Sequence, residues 1–524
     1  MSAEYLTKLE PGEREPKTFK DKLERSWLRE NLACVGLDSD WGKIPGEFKP
    51  LGREEGTFQF NKAIIDSTVD LVCAFKPNIS FYEDTPEGER ALERTVAYLH
   101  EKYPYLPVIC DAKRGDIGNT NDGYVRSIFN RYQFDAVTVS PYLGSEALKP
   151  FLERKDKGII ILAKTSNPGA GEFQDDYSTP LERLTTNREE MIKLLDIIGK
   201  TEIPLYLGIA YRVSRYWNKN DNCALVVGAT YPSELENVRK IVSNMPILIP
   251  GVGEQGADLQ KTVAAGMDER SWGMIINSSR SVIFAKRENE EETVGQAAKR
   301  VAEKLKEDIN FYRRNPEGLT DSQKQLAISL FEIGAIKFGA FRLKLHEKNP
   351  NAPLSPIYVD LRILRSAQPQ IKLLACEVYQ DLIKDLQFDL FADIPTAITP
   401  VVALLSHVMN VPMITPRTDK KTHGSGAEID GIYEAGQTAV LFDDLISEGD
   451  SKFPPIRILE EKGIRVKNIV TLIDREQGGA EILSREGYEL RSAFSISNLL
   501  RYYLRIGKIT QSKYNEIISY WATK

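Results

Sequence analysis

Between residues 20 and 310 the sequence repeats one alternation, a short and nearly continuous apolar run followed by a longer amphipathic segment. The runs are LACVGLD (32–38), LVCAFKP (71–77), LPVICDAK (106–113), FDAVTVSP (134–141), GIIILAKT (158–165), CALVVGAT (223–230), PILIPGVG (246–253) and GMIINSS (273–279). A strand that is apolar on both sides is covered on both faces, and helical segments between such strands make the sheet parallel. Eight such units in succession predict a (β/α)8 TIM barrel over residues 1–312. A ninth run, IPLYLGIA (203–210), continues as YRVSRYW with helical spacing, so it reads as a helix inside the long connection 166–222. A connection of that length should carry a lid or a binding segment.

The runs end in polar or special residues: Asp38, Lys76, Asp111 with Lys113, Ser140, Lys164, Gly228 and Gly251. In a barrel the C-terminal ends of the strands carry the active site. The densest ending is Asp111-Ala112-Lys113-Arg114-Gly115-Asp116, where residues two apart on a strand place Asp111 and Lys113 on one side and Asp116 falls beyond the strand. On this stretch alone, a structural Asp–Lys salt bridge is the alternative to a site. A ring of such endings on one face favours the site.

Residues 313–320, rich in polar residues with Pro316 and Gly318, read as a linker. Beyond it, over 321–524, the pattern changes. SQKQLAISLFEIGAI and IKLLACEVYQDLIKDL read as helices, and PIYVDLRIL, DIPTAITP, VPMITP, QTAVLFDDLI and VKNIVTLIDR as strands. This predicts one doubly wound α/β domain.

Apolar residues at 42% and charged residues at 27% fit ordinary globular protein. A net charge of −6 argues against broad nucleic-acid or anionic-membrane binding, so any anionic substrate must meet local positive charge. The five cysteines form no CxxC pair and sit mostly in apolar runs, which suggests buried free thiols in a reducing compartment. With no secretory signal, membrane-length apolar run or peroxisomal C-terminus, the cytoplasm is the expected location.

The first half resembles the orotidine 5′-monophosphate (OMP) decarboxylases. Asp111-Ala112-Lys113-Arg114-Gly115-Asp116-Ile117 is similar to that family's DxKxxDI signature. GLD (36–38), FKPN (75–78), TSNPG (165–169), VVGATYP (226–232), PGVGEQG (250–256) and NSSRS (277–281) follow in the family's order. The resemblance implies that Lys76, Asp111, Lys113 and Asp116 form the catalytic array. It also implies that Asp38 and Lys76 contact ribose, that Ser166 contacts the pyrimidine, and that Gln255 and Arg280, with amides near Gly228 and Gly253, bind phosphate. It further implies a dimer in which Asp116, Ile117 and Thr120 reach into the neighbour's site, and no cofactor. The chemistry agrees: loss of CO2 leaves a carbanion with no adjacent carbonyl, so the protein must place an ammonium beside that carbon. Lys113 is the candidate for that group, and the flanking acids Asp111 and Asp116 would keep it charged.

The second half resembles the orotate phosphoribosyltransferases of type I phosphoribosyltransferase fold, through KFGAFRLKL (337–345), SPIYVDLR (355–362), VLFDDLISEGDS (440–451), LIDREQGG (472–479) and FSISNLL (494–500). The resemblance implies that Asp443 and Asp444 serve the ribose hydroxyls and a Mg2+-bound pyrophosphate, and that Ser447 and Gly449 lie in the 5-phosphate loop. It implies that Lys344 and Arg475 lie near orotate, and that Arg417, Lys421 and His423 form a pyrophosphate clamp. Two departures stand out: Thr418 where a lysine is usual, and Glu448 with Asp450 beside the phosphate loop. Together the resemblances imply a self-associating fused enzyme for the last two steps of pyrimidine biosynthesis to UMP. Its second domain joins orotate to phosphoribosyl pyrophosphate (PRPP) with Mg2+, and its first decarboxylates the product. The alternatives are a different phosphosugar enzyme on the same barrel frame, and a C-terminal domain that is a weakened PRPP-binding or assembly module.

Overall fold

The computed structural model describes residues 15–176, 178–253, 257–342, 352–417 and 428–522. Gln255, Lys344, Lys421 and His423 lie outside the described residues, as does Thr418. The chain forms two compact units, Met1–Gly318 and Leu319–Lys524.

In the first unit all eight apolar runs become strands: β1 (Ala33–Leu37), β2 (Val72–Pro77), β3 (Ile109–Arg114), β4 (Ala136–Val139), β5 (Gly158–Lys164), β8 (Cys223–Val227), β9 (Ile247–Pro250) and β10 (Met274–Ser278). They hydrogen-bond in the order β2-β1-β10-β9-β8-β5-β4-β3, all parallel. Parallel bridges Phe75–Val108 and Asn78–Asp111 join β2 to β3 and close the barrel. The closed ring explains the unbroken apolar runs, because each strand faces the interior on one side and the helical shell on the other. Phe75 and Phe134 are fully buried in this core, as is Trp27 of helix Phe19–Trp27, whose indole donates to Met274 O at 3.0 Å.

The connection after β5 holds a short antiparallel pair, β6 (Ser178–Pro180) and β7 (Glu202–Pro204), and helices Arg188–Ile198 and Leu205–Arg212. The ninth apolar run is therefore helical after its first residues, as its spacing predicts. Helix Val294–Arg314 ends the unit, and its last-turn residues Arg313 and Arg314 both pair with Glu30.

The second unit has a six-stranded sheet in the order β15-β14-β13-β16-β17-β18, where β13 is Leu390–Asp393, β14 Met413–Pro416, β15 Ile429–Asp430, β16 Thr438–Ile446, β17 Arg465–Asp474 and β18 Glu489–Ser495. All neighbours are parallel except the short edge strand β15. Along β16, Val440 and Phe442 enter one apolar cluster and Ala439 and Leu441 the other. Successive residues of a strand point to opposite faces, so helices cover both sides and the domain is doubly wound, as the sequence predicts. A two-stranded hairpin, β11 (Ile336–Phe341) with β12 (Ser355–Val359), precedes the sheet.

Three local assignments are corrected. DIPTAITP is a turn and helix start, because the strand ends at Asp393 before Pro395 and helix Thr399–Met409 takes Pro400 in its first turn. PIYVDLRIL is strand only through Val359, and Leu361–Arg365 is a 3-10 turn. The helix begun at Asp321 stops at Glu332, where Gly334 adopts a left-handed φ of +72° and Ile336 opens β11. Among the described residues no helix is long and apolar enough to cross a membrane.

Candidate active site

At the C-terminal end of the barrel strands, one cleft is lined by Asp38, Lys76, Asp111, residues 250–252, Asn277 and residues 279–281. Neighbouring strands deliver these groups side by side: Asp38 follows β1, Lys76 lies in β2 in register with Gly36, and Asp111 lies in β3. The sequence-predicted residues Asp38, Lys76, Asp111 and Arg280 thus meet in one place.

Asp111 is the hub. Lys76 Nζ donates to its Oδ2 at 3.1 Å and Lys113 Nζ to its Oδ1 at 2.7 Å. Lys76 is almost fully buried, whereas Lys113 is half exposed. Burial opposes ionisation of Asp111, but Lys76 and Lys113 outweigh it and hold the carboxyl well below the usual range. Burial likewise opposes the charge on Lys76, and Asp111 and then Asp38 overcome it and raise its pKa. Burial notwithstanding, Asp111 and Lys76 each hold the other in its ionised form.

The meeting of Asp111 and Lys113 does not arise from regular strand alternation. Cys110 pairs with Val137 and Arg114 with Val139, so residues 111–113 bulge out opposite Thr138 alone. Lys113 takes a left-handed φ of +48° within this bulge. Thr138, 1% exposed, fills the gap: its Oγ1 accepts from Ala112 N at 3.0 Å and Lys113 N at 2.9 Å, and donates to Asp111 Oδ1 at 2.9 Å. One hydroxyl thus satisfies the amides the bulge leaves unpaired and aims the carboxylate. The sequence offered one faint signal for this, a hydroxyl residue inside an apolar strand.

Asp116 is not among the residues that line this cleft. Its carboxylate accepts from Ile117 N at 2.7 Å, and Ile117 is 58% exposed, with Thr120 exposed beside it. Ser166 follows β5 and packs on Gly228, where a Cβ would come within 2.8 Å of Ser166 Cα. Lys164, one of the polar strand endings, is fully buried and tied to both oxygens of Asp175 at 2.6–2.7 Å, over the ring of Tyr231. Next to it, Gln174 bonds Thr165 through both backbone and hydroxyl. These two rungs pin the start of the 166–222 connection, so Lys164 anchors the segment that carries Ser166.

In the second unit Asp443 and Asp444 lie toward the end of β16. Buried Lys452 donates to the Asp443 carboxylate, to Leu445 O at 2.9 Å and to Ser451 Oγ at 3.1 Å. Asp443 is thereby committed, while Asp444 is pushed up to about 7 by burial and then by the adjacent Asp443. Gly449 turns the following loop with φ +90° and lies against Gly479, and Glu448 and Asp450 are both exposed. Lys452, a cation absent from the sequence reading, sits where that reading saw only acids. Arg475 follows β17, and its N–H donates to Ile446 O at 2.9 Å. Arg417 follows β14 and its guanidinium pairs with Asp430.

Comparison with known proteins supplies the family. Residues 33–295 match the model of the orotidine 5′-phosphate decarboxylase / HUMPS family. An orotidine 5′-phosphate decarboxylase of Cellvibrio japonicus is 43% identical over 297 residues, covering 56% of this chain and 99% of the relative. One from Janthinobacterium is 44% identical over 296 residues, with 56% and 99% covered. Among solved structures, a UMP synthase of Leishmania donovani is 32% identical with a TM-score of 0.48, covering 97% of this chain and 100% of that one. The barrel, the strand-end array and the sequence relationship agree, and the chain belongs to the orotidine 5′-phosphate decarboxylase / HUMPS family.

Proposed function

We propose that the first unit decarboxylates OMP to UMP and that the second makes OMP from orotate and PRPP. The observation that carries the first half is the Lys76–Asp111–Lys113 array, buried at its centre and rigidly bonded. When the C6 carboxylate leaves as CO2, its bonding electron pair remains on C6. The Lys113 ammonium stabilises that charge and then transfers a proton to C6, giving UMP and a neutral amine that regains its proton from water. Asp111, fixed by Thr138 and two lysines, holds Lys113 at that carbon. Asp38 and Lys76 face the ribose and Ser166 the pyrimidine, while Arg280 with Gln255 and amides near Gly228 and Gly253 bind phosphate. Such charge is preorganised, so it needs no rearrangement as the carbanion forms. Exposed Ile117 and Thr120, with Asp116, serve the site of a second copy in a homodimer or larger oligomer.

In the second unit the Asp443–Asp444 pair above a glycine turn is suited to the ribose hydroxyls of PRPP. Asp444 has burial and a neighbouring acid raising its pKa, a setting that a divalent cation relieves. Mg2+ arrives with pyrophosphate, whose charge it neutralises. Ser447 and Gly449 present amides to the 5-phosphate, Arg475 and Lys344 face orotate, and Arg417, Lys421 and His423 close over pyrophosphate. Because Glu448 and Asp450 point outward, they oppose the phosphate less than adjacency in sequence suggests.

Purified protein given orotate, PRPP and Mg2+ is expected to release CO2 and accumulate UMP. Given OMP alone, it is expected to release CO2 without Mg2+. CO2 from OMP without any consumption of orotate would favour the reading of the second unit as a binding or assembly module.

A further inference from the structure

We propose that Asn277 is a specificity-determining residue of the barrel cleft, its side-chain carbonyl accepting a hydrogen bond from a ribose hydroxyl of the nucleotide. The inference rests on the decarboxylase reading above.

Asn277 lies in β10 and is 5% exposed. Its Nδ2 donates to Ser279 Oγ at 3.2 Å, which commits that end of the amide. Oδ1 is left buried with no hydrogen-bond partner. Asp38 Oδ1 is a second buried acceptor without a partner, and both residues line the same cleft. Buried polar atoms are nearly always paired, so two orphan acceptors in one cleft wall call for a ligand that brings donors. A phosphate or a carboxylate dianion has none to bring. The nucleotide's donors are its ribose hydroxyls and the pyrimidine N3–H. Ser166, read as the ring contact, follows β5, which β9 and β8 separate from β10 in the sheet order. The ring N3–H therefore belongs to the far side of the barrel, and the hydroxyls remain for Asp38 and Asn277.

The neighbouring strand is shaped for this. A Cβ on Gly36 of β1 would lie 1.9 Å from Ser279 Oγ and 3.3 Å from Asn277 Oδ1. Only the bare Cα of glycine lets the Asn277–Ser279 segment lie close on β1. Gly36 is also in register with Lys76, so the amide carbonyl sits beside the array at its sugar side.

The test compares wild type and Asn277→Ala on OMP and on its 2′-deoxy and 3′-deoxy analogues. Wild-type turnover of OMP checks the decarboxylase reading by itself. Asn277→Ala is expected to lose about tenfold in kcat/KM on OMP, and less than about twofold on the analogue that lacks the partnered hydroxyl. Equal loss on all three substrates overturns the proposal. If the variant does not fold, a crystal structure of the wild type with UMP decides. Asn277 Oδ1 within hydrogen-bonding distance of a ribose hydroxyl supports the assignment, and an Oδ1 that meets no hydroxyl overturns it.

Discussion

Near the end of β3, Asp111 has a lysine on either side and a threonine hydroxyl beneath it. Near the end of β16, Asp443 has one lysine and, next along the chain, a second acid. Both are carboxylates at the exit of a parallel strand, where α/β folds place their chemistry. Their electrostatic settings are opposite. The barrel supplies its own countercharge in excess, so Asp111 ionises more readily than a free carboxylate. The second unit neutralises Asp443 only, and Asp444 resists ionisation. The first arrangement is complete before substrate arrives and suits a reaction whose new charge is an anion. The second is left short of positive charge, which suits a substrate that comes with a cation.

The largest expected effect breaks the first site and leaves the second untouched. In the proposed mechanism Lys113→Ala removes both the ammonium assigned to the carbanion and the proton source, so kcat for CO2 release from OMP should fall by about 10⁴-fold or more. Transfer of phosphoribosyl to orotate in the same preparation should stay at the wild-type rate. An equal loss in both activities would mean that the two sites are not independent.

Next comes the sign of the carboxylate's contribution to stability. Asp111→Asn leaves Lys76 buried beside a neutral partner, and breaking a buried pair from one side costs about 3–5 kcal/mol. The unfolding transition of the first unit, followed in urea, should shift to lower denaturant by that amount. Asp444→Asn should not behave this way in the second unit. There the expected loss is in activity: about 10²- to 10³-fold in the forward transferase rate, with OMP decarboxylation unchanged.

Thr138→Val tests how Asp111 and Lys113 are held. Valine matches the shape but offers no oxygen to the two bulge amides and no O–H to donate to Asp111. We expect kcat to drop about 10- to 100-fold with KM for OMP nearly constant, and Thr138→Ser, which keeps the oxygen, to recover most of the rate. A change in stability alone, with kcat preserved, would make Thr138 a packing residue.

Legibility in the sequence follows the same division. The barrel was readable because each strand is buried on two sides, so each one writes an apolar run that ends at the charge it delivers; Asp38, Lys76 and Asp111 are such endings. β11 and β18 were not read as strands because they mix polar and apolar residues: IKFGAF has only Ile336 buried, and ELRSAFS only Ala493 and Phe494. Thr138 was missed because its role depends on a bulge in the adjacent strand, and no local pattern announces the left-handed φ of Lys113. Lys452 was missed because the acids Glu448 and Asp450 dominate the loop before it, while its partner Asp443 lies nine residues back across a turn. Asn277 stood in a quoted motif, but only its hydrogen bond to Ser279 shows which end of its amide is left without a partner.

The smallest expected effect is the one that states the contrast most directly, because its sign is opposite to that of Asp111. The carboxyl of Asp444 is raised in the folded chain, so the folded state binds its proton more tightly than the unfolded state does. Between the ordinary carboxylate range near pH 4 and about pH 7, the folded chain therefore carries more protons, and stability falls as pH rises through that window, levelling off above it. Asp444→Asn has no proton to lose. Thermal unfolding of the second unit should thus show the variant more stable than wild type by at least ~1 kcal/mol at pH 8, with the gain shrinking toward zero near pH 4. Asp111→Asn should destabilise its unit at pH 8 and lose that penalty only in strong acid, where Asp111 itself becomes protonated. A second unit whose stability is flat between pH 4 and 8, or one weakened by Asp444→Asn at pH 8, would mean that Asp444 is already compensated by a cation of the protein, and the contrast between the two sites would fall.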